Sequence, residues 1–114
     1  MAVFASRQII IPVLSVVVTI TGSGNSASCY ATINGTKQYS AGTHEVNAGD
    51  TITFGVSGGS SNPGWVKIDG TEVFRVTSSK TETYDWTVPS GISTIEIAMT
   101  YQSFSHGRIT VTTA

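Results

Sequence analysis

The sequence predicts an all-β domain, a sandwich or barrel of short strands, and three observations carry that prediction. Charged residues make up only 11% of the 114-residue chain, less than half the usual share. Hydroxyl residues fill the gap, with 17 threonines and 15 serines; threonine is β-branched and suits the solvent face of a strand. Turn signals built on Gly, Asn, Asp and Pro recur at short intervals between apolar runs, and no long helical periodicity appears.

The most apolar stretch is "RQIIIPVLSVVVTITGSG", residues 7–24. A membrane-spanning helix needs roughly 20 apolar residues in a row, and this run is interrupted by Pro12, Ser15 and Thr19. An export signal would have Arg7 as its basic end and "SAS" at 26–28 as its cleavage site. The run is rich in Ile and Val rather than Leu and Ala, which is strand composition. Sheet is the reading that remains. Leu14, Val16, Val18 and Ile20 fall on one face by period two, and Pro12 has no N–H to donate to a ladder. The stretch therefore divides. Residues 1–12 form an extended N-terminal arm carrying Val3, Phe4, Ile9, Ile10 and Ile11, and the sandwich occupies 13–114, with its first strand over 13–21.

The later strands follow from the same alternation. "CYATI" (29–33) runs into "NG", a type I′ hairpin signal because both central residues need positive φ, and "TKQYS" (36–40) returns. Short strands follow at 43–46 and 51–57, separated by the turn "NAGD". After "GGSSNPG", a strand over 65–68 meets "DG", a second hairpin signal, and 71–76 returns. Strands at 81–88, 92–101 and 108–113 complete the set. The two hairpins echo each other, "YATINGTKQY" against "WVKIDGTEVF". Paired hairpins suit a Greek-key sandwich, and the spacing is too irregular for a propeller or solenoid. The expected core is Leu14, Val16, Val18, Ile20, Ile33, Ile52, Phe54, Val56, Val66, Ile68, Val73, Tyr84, Trp86, Ile95, Ile97, Met99, Ile109 and Val111.

Several function classes find no support in the residues. Net charge is −1 with no run of Lys or Arg, so nucleic acid has no basic patch to bind, and a polybasic membrane anchor is equally missing. A single cysteine, Cys29, rules out an intrachain disulfide; its alternating neighbours read as a small core position. His44 and His106 lack ligands at zinc spacing. No "GxSxG" elbow is present. "GSGNS" precedes no helix that could hold a phosphate. Asp69, Glu72, Glu82 and Asp85 read as solvated carboxylates. "NAGD" offers too few oxygens for calcium. The chain thus predicts no catalytic residue, no metal site and no cofactor. The weakly charged surface mildly favours work inside an assembly. Binding signals lie in aromatics that do not all fit the inward frame: Trp65, Tyr101 and Phe104 as glycan or partner contacts, with Tyr30 and Tyr39.

The motifs "INGT", "AGDTITF", "IDGT" and "YDWTVP", within residues 16–113, resemble those of small immunoglobulin-like proteins encoded by tailed bacteriophages of gut bacteria. The resemblance implies an immunoglobulin-like Greek-key sandwich without the immunoglobulin disulfide. It also implies a virion accessory role: a capsid decoration protein, or a head, neck or tail appendage. On this reading the partners are the major capsid, portal or tail proteins, with a possible homo-oligomer and weak glycan binding. The protein is then made in the host cytoplasm without an export signal and acts in the virion. An apolar arm ahead of a self-sufficient domain marks a contact, and edge pairing with a neighbour would use it. A carbohydrate-binding adhesin module is the competing expectation, and an accessory domain of a secreted enzyme the third.

Overall fold

A computed structural model describes residues 14–58, 63–78, 80–98 and 107–114. These fold into two antiparallel sheets packed face to face, with no helix among the described residues. Among the described residues are ten strands, each overlapping an expected segment: β1 (Ser15–Ser23), β2 (Cys29–Ile33), β3 (Thr36–Gln38), β4 (Ser40–Asn47), β5 (Thr51–Val56), β6 (Gly64–Ile68), β7 (Thr71–Val76), β8 (Glu82–Thr87), β9 (Ser93–Ala98) and β10 (Arg108–Thr113). The larger sheet has the order β4-β1-β10-β9-β6-β7 and the smaller the order β3-β2-β5-β8. Only β2–β3, β6–β7 and β9–β10 are sequence neighbours within one sheet. Every other connection carries the chain from one sheet to the other.

Both short hairpins form where the dipeptides place them. Asn34 and Gly35 have φ of 51° and 79°, and Asp69 and Gly70 have φ of 50° and 86°, the paired positive values that a type I′ turn demands. Their side chains then tie the turns to other strands. Asn34 Nδ2 donates to the Glu45 carbonyl at 3.1 Å, and Asp69 Oδ1 accepts from the Thr94 N–H at 2.9 Å. The sequence echo is thus a structural one, with each turn bonded to a strand beyond its own hairpin.

Inward residues of both sheets form one cluster in which Phe54, Ile95, Ile97, Val66, Ile109 and Val111 are fully buried. The Phe54 and Trp86 rings lie 6.1 Å apart. Cys29 is a core residue, its Sγ donating to the Ile97 carbonyl of the facing sheet at 3.8 Å. Phe74 on β7 and Tyr84 on β8, 5.5 Å apart, close one side of the sandwich. No buried side-chain nitrogen or oxygen among the described residues lacks a hydrogen-bond partner, as a well-satisfied interior requires.

Two expected core residues are corrected. Leu14 is 57% exposed: it precedes β1, and only its carbonyl is held, by the Ala48 N–H at 2.8 Å. Val73 is 41% exposed, because a register shift pairs Val66 with Phe74 and Lys67 with Glu72 and passes over Val73. That bulge flips the alternation of β7, so Phe74 and Val76 face the core instead. Ile68 and Tyr84 are only partly buried against the core. Met99 and the proposed arm, residues 1–12, lie outside the described residues. Val46, Val76 and Val88 are core positions the expected set omitted.

Strand limits moved in two places with clear causes. The expected strand at 43–46 extends to eight residues, because Tyr39 alone carries the chain between sheets and β4 then pairs along β1 from Ser40. The expected strand 13–21 becomes Ser15–Ser23, since Gly22 continues the ladder opposite Ile109 with φ of 91°.

Candidate binding surface

The outer face of the six-stranded sheet carries an ordered array of side chains. On each strand the residues alternating with the core point here. These are Thr43 and Glu45 on β4, Val17, Thr19 and Thr21 on β1, Arg108, Thr110 and Thr112 on β10, Thr94 and Glu96 on β9, Trp65 and Lys67 on β6, and Glu72 and Arg75 on β7. Register aligns them into rows across strands. One row reads Thr43, Thr19, Thr112, Thr94. The next reads Thr21, Thr110, Glu96, Lys67, Glu72. The third reads Ser23, Arg108, Ala98, Trp65, Arg75. The face is therefore segregated, with threonine on one half and an aromatic residue among charges on the other.

Trp65 is half-buried in the charged half. The Lys67 ammonium lies 4.2 Å from its ring centroid and the Arg108 guanidinium 5.3 Å, both within the range of cation–π attraction. Arg108 is two strands from Trp65 and reaches it across Ala98, whose small side chain is buried beneath them. Arg108 Nη2 also donates to Glu96 Oε2 at 2.6 Å. Arg75 forms a bidentate pair with Glu72, Nε to Oε2 at 3.1 Å and Nη2 to Oε1 at 3.0 Å. The Glu72 hydrogen bond, and then its charge, raise the Arg75 guanidinium above its ordinary range, so it stays protonated. Lys67 sits in register between Glu96 and Glu72 but makes no ion pair among the described residues.

The other expected binding residues fall elsewhere. Tyr30 is buried on the outer face of the smaller sheet, where its ring covers the side-chain position of Gly55, its partner in register. Lys37 Nζ lies 4.5 Å from that ring. Tyr39, at the sheet crossing, is exposed. Tyr101, Phe104 and His106 lie outside the described residues, as do Val3, Phe4, Ile9, Ile10 and Ile11. The chain leaves β9 at Ala98 and enters β10 at Arg108, both in the Trp65 row. His44 is half-buried on β4, and no group of three or more His, Cys, Asp or Glu suited to a metal occurs among the described residues. No helix among them is long and apolar enough to cross a membrane.

Sequence reasoning found Trp65 but missed Lys67, Arg108 and Ala98. Their proximity depends on the pairing of β6, β9 and β10, which no local motif encodes. Comparison with protein-family models, with curated proteins and with solved structures found no match.

Proposed function

We propose that this chain is a non-enzymatic structural protein of a bacteriophage virion, a capsid decoration or head or neck accessory protein attached through residues 1–12. The observation that carries the reading is the closure of the core. Strands from Ser15 to Thr113 bury one continuous apolar cluster with its polar groups satisfied. On this reading the apolar side chains of Val3, Phe4, Ile9, Ile10 and Ile11 make the contact with the major capsid, portal or tail proteins. Exposed Leu14 and Val17 extend that apolar run onto the sheet. The immunoglobulin-like, Greek-key reading of the topology belongs to the same proposal. It is supported by β10-β9-β6-β7 in one sheet facing β2-β5-β8 in the other, joined by repeated crossings. Assembly in the host cytoplasm belongs to the same proposal.

The test compares the full chain with one lacking residues 1–12 in co-sedimentation with assembled capsids of the encoding phage. The full chain sediments with the particles and the shortened one stays in the supernatant while keeping its β-sheet circular dichroism. Equal sedimentation of both forms, or of neither, contradicts the proposal.

A carbohydrate-binding module is the second reading, favoured by Trp65 on an outer sheet face. The cations over its ring make it a poor bare platform for a neutral sugar.

A further inference from the structure

We infer that the charged half of the six-stranded sheet binds an acidic polysaccharide, one bearing uronate carboxylates, centred on Lys67 and Arg108. The inference deepens the second reading above and is independent of how the domain is attached. Three cations, Lys67, Arg75 and Arg108, surround Trp65, against two carboxylates, Glu72 and Glu96. The chain as a whole carries a net charge of −1, so this cluster runs against the overall balance. Its pairing is also uneven. Glu72 engages Arg75 through two hydrogen bonds. Glu96 takes one bond from Arg108 Nη2, leaving the rest of that fork to reach a second carboxylate. Lys67 has no ion pair among the described residues, and its ammonium and the Arg108 guanidinium both lie against the Trp65 ring. Two cations against one aromatic ring, one of them without a carboxylate partner, favour an added anion beside them.

The neighbouring surface suits a polyhydroxylated chain rather than a compact anion. Threonines occupy the adjoining positions on β10, β9, β1 and β4, and the rows run across strands spaced about 4.8 Å apart. A saccharide lying obliquely across the rows would meet threonine hydroxyls at one end and the cations around Trp65 at the other. A ligand of this kind is gripped weakly and by charge, so its binding falls with salt.

The experiment is retention of the full chain on immobilised polygalacturonate, with dextran as the neutral control and dextran sulfate as the sulfated one. Lys67→Met and Arg108→Gln remove charge while keeping most of each stem. Lys37→Met removes the equivalent cation over Tyr30 on the opposite sheet. The expected result is binding to polygalacturonate but not dextran, weakened about three- to tenfold by either variant on the Trp65 face and unchanged by Lys37→Met. Sodium chloride at about 0.5 M should release it. Thermal melts confirm that each variant is folded. The inference is overturned by no retention, by equal retention on dextran, by binding to dextran sulfate alone, or by an equal loss in Lys37→Met. None of these outcomes bears on capsid binding through residues 1–12, so the two proposals fail separately.

Discussion

Phe54→Ala is expected to lower the stability of the domain by about 3–5 kcal/mol, the largest loss from any single side chain considered. Phe54 lies on β5 with no exposed surface, opposite Ala31 on β2 and Tyr84 on β8, and its ring meets Trp86 at 6.1 Å. Neither neighbour in register can refill the space: Ala31 is too small, and Tyr84 is engaged with Phe74. The loss therefore includes a cavity as well as lost transfer energy. A domain of this size has about 5–15 kcal/mol in all, so the variant sits near its unfolding threshold. Thermal unfolding should show a midpoint lower by about 12 °C or more. A loss below about 1 kcal/mol would mean that the core is not packed as described.

Gly22→Ala is expected to cost about 3 kcal/mol or more, combining two penalties. The residue has φ of 91°, a conformation that costs a non-glycine residue about 1–3 kcal/mol. A Cβ there would also stand 2.5 Å from the Arg108 carbonyl oxygen, a backbone atom with no freedom to move aside while β1 and β10 stay paired. Gly35→Ala separates the two effects. Gly35 has φ of 79°, but nothing lies within 4 Å of its Cβ position, so only the backbone penalty applies. Urea unfolding of both variants should show the larger loss at position 22. Equal losses would show that the approach of Arg108 is not a constraint. Because Gly22 prolongs β1 toward Arg108, this variant should also disturb the Trp65 face.

The legible part of the fold was local. "NG" and "DG" encode positive φ directly, and the period-two pattern of Val16, Val18 and Ile20, or of Ile52, Phe54 and Val56, encodes burial directly. Where the sequence reading failed, a long-range pairing decided the outcome. Val73 reads as inward by simple alternation, but the bulge opposite Val66 and Lys67 inverts β7. β4 reads as a four-residue strand because "SAG" has little β propensity, yet β1 supplies a partner along its whole length. Leu14 continues the apolar alternation of β1 in sequence but lies just before the strand begins.

The candidate surface was less legible for the same reason. Trp65 was visible as an aromatic residue outside the inward frame. Its cationic neighbours were not, because Lys67 and Arg108 are 41 positions apart in the chain and meet only through the β6–β9–β10 register. The small residue that permits the meeting, Ala98, carries no functional signal of its own. The threonine rows are likewise a product of register: each "TxT" pair reads alone as ordinary strand sequence.

The central claim is that the sandwich folds unaided and leaves the apolar leading segment for attachment. Thermal unfolding of residues 14–114 alone tests it most directly. The account predicts one cooperative transition with a midpoint within about 4 °C of the full chain, a shift worth roughly 1 kcal/mol or less at this size. An unfolded fragment, or a midpoint lower by more than about 10 °C, would place the leading segment inside the fold and contradict the claim.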